Sequence, residues 1–484
     1  MPALLDLTGA PRRGSIVPGS HGAGRDAAVI PLIALAAVVV RLPFLAQPLS
    51  PDEGGYLLVA SQWSPGSSVY GSYFVDRPPL LIAWFGLADR LGGAVPLRLL
   101  GAAAVLAAVL AAGRLGGRTA AVLAAAFLST PLFDGQLVDG ELLAVPFVLV
   151  ALVLLLRSLR GGPTVRPGAD LVLAGALATC AAMVKQNMVD ALVAGAVLLL
   201  GQLVQQRSPE AARRVSRFGA GAVGALGAAL GYAALHGTRP MQLWDALVRF
   251  RVDAAAVISA SASSSTSDRF HMIVLAGLVA GVPLVLAAAL ASARRPGREP
   301  LLWWAAAAAV LGWEATGALL GGSYWQHYLI ALVPGLVLLV AAAGDSRWLR
   351  LSAGYAATCA ALALVLALMH PLQMASDTEV AHYVASRSGP GDTMVVAFGH
   401  PDIVREAGLP SPYEHLWSLT ARVRDPRLSD LTALMRGPIA PRWIVVSGDS
   451  LATWGIDATR AQQELDVRYR PVMSAGDWHV FELR

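Results

Sequence analysis

The chain has 484 residues, of which 56% are hydrophobic and only 14% are charged. Soluble domains carry about 25% charged residues, so this composition excludes a single water-soluble globule, and its hydrophobicity excludes an intrinsically disordered chain. The formal net charge is +5, but the arginines lie in short clusters between apolar runs. That pattern is typical of cytoplasmic loops in membrane proteins and argues against a nucleic-acid partner.

The apolar runs predict a polytopic α-helical membrane protein. Residues 1–26 contain proline, glycine and arginine without periodicity and are predicted to be a flexible cytoplasmic tail. The next run, residues 27–46, is too long for a signal-peptide core and predicts a retained membrane helix. A membrane span needs about 20 apolar residues. Further spans bring the total to about eleven: 96–113, 119–133, 142–159, 171–187, 188–204, 218–236, 271–292, 301–320, 328–343 and 351–369.

The distribution of arginine predicts how these spans are oriented. Arginines occupy every second loop, whereas the short loops at 134–141 and 321–327 contain no lysine or arginine. By the positive-inside rule the N-terminus is cytoplasmic, and an odd number of spans places the C-terminus outside. The predicted cytoplasmic arginines are Arg114, Arg118, Arg157, Arg160, Arg166, Arg207, Arg213, Arg214, Arg217, Arg294, Arg295, Arg298, Arg347 and Arg350.

Two of the predicted outer loops are long, at residues 47–95 and 237–270. The first contains two amphipathic stretches that predict helices lying along the membrane interface. The second contains a helical pattern followed by a serine-rich, low-complexity run. These segments are, in chain order, Gly54–Trp63, Pro79–Leu91, Trp244–Ile258 and Ser259–Ser267.

Residues 370–484 differ in composition from the predicted transmembrane module, residues 27–369. Charged residues become more frequent, and short β-type runs alternate with helical patterns. This combination predicts a small extracytoplasmic α/β domain. The β-type runs are Thr393–Phe398, Arg442–Ser447 and His479–Leu483, and the helical patterns are Asp377–Ser388 and Ala458–Leu465.

Ionisable groups near the outer membrane surface are candidate site residues, because such groups are costly close to hydrocarbon. Asp52 and Glu53 directly follow the first span, where a carboxylate is able to act as a general base on a hydroxyl. A solvated turn, made with the two glycines that follow, is the alternative. Arg77, in Asp76-Arg77 before two prolines, stands at a rigid helix start and is able to clamp a phosphate or to bind lipid headgroups.

Further candidates lie in the short outer loop before the fourth span and at the end of the fifth span. Asp134, Asp139 and Glu141 offer ligands for a divalent metal ion or partners for basic residues, with ordinary solvation the preferred interpretation of Asp134. Lys185 is the one lysine in the chain. Its ammonium either neutralises a phosphate or extends to the membrane interface.

The tenth span opens with His327 and Tyr328 in an aromatic-rich sequence. His327 is able to donate to a phosphate oxygen or to shuttle a proton, whereas its aromatic neighbours are typical of an interface belt. Glu314, inside the ninth span, is predicted to have a buried structural partner. A base candidate and several phosphate-binding candidates thus share one side of the membrane, which predicts a site for a lipid-linked phosphate.

In these motifs the chain resembles the polytopic glycosyltransferases of the GT-C superfamily, within the protein-mannosyltransferase and aminoarabinose-transferase-like group. The resemblance covers about residues 29–345 and depends on the order and placement of the motifs. The motifs are Asp52-Glu53, Asp76-Arg77-Pro78-Pro79-Leu80-Leu81, Val138-Asp139-Gly140-Glu141, Lys185, and Gln326-His327-Tyr328 before Leu332-Val333-Pro334.

The resemblance implies transfer of a sugar from a polyprenyl-phosphate carrier to a glycan, lipid or protein acceptor at the extracytoplasmic face, usually with inversion. A loop carboxylate is then the base, with Asp52 preferred and Glu53 as its neighbour or alternate. The resemblance also implies that Arg77, Lys185 and His327 bind the donor phosphate. Asp139 and Glu141 would orient these cations or bind a divalent metal ion. Asp76 and Tyr328 would belong to the substrate loop.

Other functions compete with this interpretation. A polymerase or ligase of cell-envelope glycans would act on similar lipid phosphates. A secondary transporter or flippase of lipid-linked substrates would predict inverted repeats and broken helices at mid-membrane, but the sequence shows no internal repeat and its polar candidates gather at one face. A non-catalytic membrane scaffold is disfavoured by the clustered outer-face acids.

Overall fold

The structure is a computed structural model that describes residues 20–161, 166–260, 264–293, 301–370 and 375–484. Residues 20–26, predicted as part of the flexible tail, begin the first helix instead. Three parts of the predicted organisation lie outside the described residues: the tail up to residue 19, residues 261–263 of the serine-rich run, and the arginines of the loop at 294–300.

The helices of the membrane module follow one another with short connections. Turns of π-helix join α7 to α8 and α10 to α11, and a 3-10 helix at Gln326–Ala331 leads into α15. In chain order the helices are α1 (Ser20–Val39), α2 (Pro51–Ser61), α3 (Pro79–Arg90), α4 (Ala94–Ser129), α5 (Gly140–Arg160), α6 (Pro167–Val184), α7 (Asp190–Gly195), α8 (Gly201–Gln206), α9 (Pro209–Leu235), α10 (Pro240–Trp244), α11 (Phe250–Ala260), α12 (Ser264–Val279), α13 (Val282–Ala293), α14 (Leu301–Leu320), α15 (Leu332–Ala343) and α16 (Arg347–Met369).

Among the described residues, six helices are long and apolar enough to cross a membrane, or seven if the bent pair α12 and α13 forms one span. Eleven spans therefore stay a prediction. The predicted span at 96–113 lies within α4, whereas the span at 119–133 extends past the end of α4 at Ser129. Non-helical backbone at Gly116 and Gly117 interrupts α4 between them. The apolar helices at 28–44 and 190–206 are shorter than the six.

The core of the module forms around α4, which packs against α1, α5, α15 and α16. Alanine, leucine and valine side chains of these helices are buried together in one continuous cluster. The C-terminal domain contributes to the same cluster through residues such as Ile403, Leu416 and Val480. The two parts of the chain therefore share this core, and the C-terminal domain has a second cluster of its own with residues such as Ile444 and Leu465.

Local sequence determines where α2 and α3 begin in the first outer loop. Ser50 caps α2: its hydroxyl accepts from the Glu53 backbone N–H at 3.2 Å, and the Glu53 carboxylate accepts from the Ser50 N–H at 3.0 Å. This is a capping box with Pro51 in the first turn. Pro79 opens α3 in the same way, because proline loses no helical hydrogen bond there.

The C-terminal domain contains a four-stranded sheet with the order β1 (Met394–Ala397), β2 (Trp443–Ser447), β4 (Trp478–Leu483) and β3 (Tyr469–Ala475). β1 and β2 pair in parallel, and the other neighbours are antiparallel. The three β-type runs predicted from the sequence correspond to β1, β2 and β4. β3 was not predicted, because a proline and a register shift between Pro471 and Met473 hide its alternation.

The helices of this domain are α17 (Ala375–Arg387), α18 (Pro401–Ala407), α19 (Ser418–Arg424), α20 (Ser429–Arg436) and α21 (Thr459–Arg468). The two helical patterns predicted from the sequence correspond to α17 and α21. The sequence did not indicate α18, α19 and α20, because helices of seven or eight residues are too short to show a clear periodicity.

The C-terminal domain docks on α2 through two glycines. A Cβ atom on Gly54 would lie 2.5 Å from the Cα of Asp402, and one on Gly55 would overlap the indole ring of Trp417. The interpretation of these glycines as a turn is therefore wrong: both lie within α2. They allow α18 and Trp417 to approach the helix closely.

Candidate active site

A cavity of about 390 Å³ lies where α2, the segments before α3 and α5, and the 3-10 helix before α15 meet the C-terminal domain. It brings together six of the residues predicted from the sequence and adds others from distant segments. Its aspartate, arginine, histidine, tyrosine and tryptophan lining residues are Asp52, Tyr56, Asp76, Arg77, Asp139, Arg251, Trp325, His327, Tyr328, His400, Trp417 and Trp454.

Asp52 is held at the cavity by two neutral donors. Its Oδ1 accepts from the indole N–H of Trp417 at 2.9 Å, and its Oδ2 accepts from the Tyr56 hydroxyl at 3.3 Å. Burial raises the pKa of Tyr56 well above its ordinary value, so this hydroxyl remains a donor. Neither partner neutralises the carboxylate, which is thus oriented and able to accept a proton from a bound hydroxyl.

Glu53, the alternate base, does not line the cavity and is fully buried. Its Oε2 lies 3.0 Å from Arg98 Nη2, and its Oε1 accepts from the backbone N–H of Val138 at 3.1 Å. Arg98 in turn donates to the backbone carbonyls of Phe44 and Gln47, each at 2.6 Å. Glu53 therefore joins the start of α2 to the segments before it and before α5.

Asp76 lies between two guanidinium groups. Its Oδ1 is 2.7 Å from Arg77 Nη1, and its Oδ2 is 2.7 Å from Arg251 Nη1. Burial is the largest single influence on Arg77 and lowers its pKa, but Asp76, Asp52 and the neighbouring tyrosines together outweigh burial, so the pKa lies well above its ordinary value. Two permanent positive charges thus face the cavity with one carboxylate between them, an arrangement complementary to a phosphate.

Lys185 and Glu141 form an ion pair behind the cavity lining. The ammonium Nζ lies 2.9 Å from Glu141 Oε1, and the glutamate is fully buried. Lys185 is only 8% exposed, which excludes the interpretation that its ammonium extends to the interface. Neither residue lines the cavity. Direct contact of Lys185 with a donor phosphate stays a prediction, and the described contact of its ammonium is with Glu141.

Asp139 and His327 reach the cavity from two different elements. Asp139 caps α5 by accepting from the backbone N–H of Leu142 at 2.8 Å, and burial raises its pKa. His327 Nδ1 lies 3.9 Å from the carboxylate of Asp134. Asp134 is 27% exposed and has a left-handed backbone, so it is partly buried near His327, and its interpretation as an ordinary solvated loop residue stays a prediction.

Asp139, Glu141 and His327 each offer a ligand atom, and these atoms lie within 4.8 Å of one another. Mixed nitrogen and oxygen donors of this kind suit a divalent metal ion. Such an ion would place positive charge beside the two arginines of the cavity. Lys185 competes with an ion for Glu141, because it already neutralises that carboxylate. Metal binding at this cluster stays a prediction.

The sequence alone did not single out Tyr56, Arg251, His400 or Trp417, all of which line the cavity. Arg251 lies within the helical pattern predicted for the second outer loop, but nothing local distinguishes it from its neighbouring arginines. Trp417 donates to a residue 365 positions earlier in the chain. One structural contact at the site is visible in the local sequence, namely the capping box at the start of α2. Ser50 and Glu53 have the spacing of that motif, which predicts a structural role for Glu53.

Glu314 has the buried partner that the sequence predicted. Its carboxylate Oε1 accepts from the backbone N–H of Gly335, at the start of α15, at 3.0 Å. Glu314 is 3% exposed and does not line the cavity. It joins α14 to α15 and is not assigned to the candidate active site.

The helical membrane module and the small C-terminal α/β domain form an architecture that solved proteins share, and the predicted resemblance to the GT-C group is confirmed at the level of fold alone. The chain superposes on ArnT from Cupriavidus metallidurans bound to undecaprenyl phosphate with a TM-score of 0.64 at 17% identity, covering 96% of this chain and 98% of that chain. The apo state of the same ArnT matches with a TM-score of 0.61 at 15% identity over the same shares.

A second solved protein has the same fold. The apo form of the Archaeoglobus fulgidus oligosaccharyltransferase matches with a TM-score of 0.56 at 12% identity, covering 87% of this chain and 69% of that chain. No protein-family model matches the sequence, and no characterised protein matches it at significant sequence similarity. The assignment to this architecture therefore depends on the fold.

Proposed function

We propose that this protein is a membrane glycosyltransferase that transfers a sugar from a polyprenyl-phosphate carrier to the hydroxyl of an acceptor. The observation that carries the proposal is one cavity lined by both an un-neutralised carboxylate, Asp52, and two arginines, Arg77 and Arg251. The fold supports it, because the matching structure of ArnT was solved with undecaprenyl phosphate bound.

The arginines would bind the carrier phosphate. Arg77 is held by Asp76 and by the Tyr56 hydroxyl, to which its Nε donates at 2.9 Å. Arg251 is 41% exposed, so it is the more accessible of the two cations. As the sugar leaves, negative charge develops on the phosphate, and fixed cations in a largely enclosed cavity stabilise that charge. His327 would add a further donor.

Asp52 would act as the base in a single displacement. The acceptor oxygen forms a bond to the anomeric carbon, the bond from that carbon to the phosphate oxygen breaks, and the acceptor proton moves to the carboxylate of Asp52. Attack on the face opposite the leaving phosphate inverts the configuration of the sugar. Asp76 and Asp139 are the other carboxylates of the cavity lining. Asp76 is paired with two arginines, and Glu53 lies outside the lining and is paired with Arg98, so Asp139 is the alternate base.

The acceptor would enter on the side of the cavity formed with the C-terminal domain. Trp325, Trp417 and Trp454 line the cavity there, and aromatic faces suit the apolar surfaces of sugars or of lipid chains. This lining is compatible with a glycan, lipid or protein acceptor. Lys185 would act indirectly, by fixing the charge and position of Glu141.

We expect Arg251→Gln to weaken the binding of undecaprenyl phosphate to the purified protein about tenfold to a hundredfold, because a charged hydrogen bond contributes about 1.5–3 kcal/mol. Arg249→Gln is the matched control, since Arg249 is exposed, lies two residues away and does not line the cavity. Titration of the lipid into detergent-solubilised protein measures both. Equal affinities in the two variants would remove Arg251 from the phosphate site.

We also propose a cytoplasmic N-terminus and an extracytoplasmic C-terminal domain, as the alternation of arginine-rich loops predicts. Alkaline phosphatase fused after Arg484 is then expected to be active, because it matures only outside the cytoplasm, whereas a fusion after Arg160 is expected to be inactive. The reverse pattern would move the cavity to the cytoplasmic side and contradict transfer at the outer face.

A further inference from the structure

A second cluster of ligand-type side chains lies in the C-terminal domain, apart from the carboxylate and arginines discussed above. Asp377 of α17, His400 and Asp402 of α18 each offer one ligand atom, and these atoms lie within 4.8 Å of one another. His400 Nδ1 is 3.3 Å from Asp377 Oδ2 and 3.6 Å from Asp402 Oδ1. The three side chains therefore converge on one point from two helices.

These separations fit a metal ion better than direct hydrogen bonds. A charge-assisted N–H···O bond is about 2.7–2.9 Å long, and both separations exceed this range. Two ligand atoms on a tetrahedral zinc ion, with bonds of about 2.0–2.1 Å, lie about 3.3–3.4 Å apart. The distances from His400 Nδ1 to the two carboxylates are close to that edge length.

The surroundings of the cluster support the same interpretation. Asp402 is 4% exposed, and its Oδ1 has no hydrogen-bond partner, which is costly for a buried carboxylate. The Nδ1 of His400 also lacks a hydrogen bond. By contrast, Asp377 Oδ1 accepts from the indole N–H of Trp478 at 2.7 Å, which leaves Oδ2 directed at the cluster. Metal-binding carboxylates are commonly oriented by such a second hydrogen bond.

We propose that Asp377, His400 and Asp402 bind a divalent transition-metal ion, with Zn²⁺ as the best match. One imidazole and two carboxylates suit Zn²⁺, whereas Mg²⁺ and Ca²⁺ favour all-oxygen sites. Three protein ligands leave a fourth position for water or a ligand group. The ion would link α17 to α18, the helix that packs on Gly54 of α2. The proposal does not depend on the glycosyltransferase activity.

Metal content tests the proposal directly. Full-length protein in detergent is stripped with EDTA, dialysed against Zn²⁺ and analysed by atomic emission. We expect His400→Ala to bind one Zn²⁺ per chain fewer than the unsubstituted protein, irrespective of any ion at Asp139, Glu141 and His327. His382→Ala is the matched control, because His382 is exposed in the same domain and lies near only one carboxylate, that of Glu406. It is expected to keep the full content.

Affinity and stability give independent readouts. Loss of a ligand is expected to weaken Zn²⁺ binding by at least about tenfold, since even the loss of an outer-shell partner costs about 10–100-fold. Added Zn²⁺, but not Mg²⁺, is expected to raise the melting temperature of the unsubstituted protein and of His382→Ala by more than that of His400→Ala, because an ion at Asp139, Glu141 and His327 would act equally on all three. If this variant does not fold, the isosteric Asp402→Asn replaces it. Equal Zn²⁺ content in His400→Ala and His382→Ala would overturn the site. The absence of Zn²⁺ binding by the unsubstituted protein would overturn it as well. In either case the cluster would be a simple His–Asp ion pair.

Discussion

Asp52→Asn is expected to abolish most sugar transfer while the protein still binds undecaprenyl phosphate. An acceptor hydroxyl is a weak nucleophile until its proton is removed, and loss of a general base costs about 10²–10⁴ in rate. Asparagine has the size of aspartate. Its Oδ1 is able to accept from Trp417, and its Nδ2 is able to donate to the Tyr56 hydroxyl oxygen in place of the bond that Asp52 accepts, so the cavity is expected to retain its shape. Turnover of a polyprenyl-phosphate-linked sugar, measured in purified protein, is the test.

The control for Asp52→Asn is Asp89→Asn. Asp89 also joins the membrane module to the C-terminal domain, through an ion pair with Arg405, but it does not line the cavity. We expect the control to keep its turnover. Full turnover in Asp52→Asn would move the base to Asp139, which, unlike Asp76, is not paired with the two arginines of the cavity. Lipid translocation that continues without sugar transfer in all variants would instead favour a flippase.

Arg98→Met is expected to destabilise the whole membrane module. The guanidinium and its partner Glu53 are 3% and 0% exposed, so the substitution leaves a buried carboxylate without its counter-charge. Breaking a buried ion pair in this way costs about 3–5 kcal/mol. The carbonyls of Phe44, Gln47 and Pro48 lose their donor as well. Thermal unfolding of the detergent-solubilised protein is expected to show a large fall in melting temperature.

Arg90→Met is the matched control, since Arg90 is exposed at the end of α3. The double variant Glu53→Gln, Arg98→Met is expected to be more stable than Arg98→Met alone, because it removes both buried charges. The difference between its loss of stability and the sum of the losses in the two single variants measures the coupling between the two charges. A melting temperature of Arg98→Met equal to that of Arg90→Met would contradict the structural role of this pair. Glu53 would then return as a candidate base.

Local sequence carried much of the information on the candidate site. Asp52, Asp76, Arg77, Asp139, His327 and Tyr328 were all predicted and all line the cavity. They were found because ionisable residues beside apolar spans are rare and costly. Lys185 and Glu141 were also predicted, but their mutual ion pair depends on how α5 and α6 pack, which no local pattern reports.

The sequence by itself determined the class of protein, because long apolar runs have no stable place in water and a small charged fraction cannot cover a soluble surface. It also determined the start of α2, where Ser50, Pro51 and Glu53 have the spacing of a capping box. Only the tertiary structure separates the surroundings of Asp52 from those of Glu53. Neighbouring side chains on a helix point about 100° apart, so one carboxylate meets Arg98 in the core and the other faces the cavity. Trp417, which orients Asp52 from the C-terminal domain, reaches it only through the folded arrangement of the two parts of the chain.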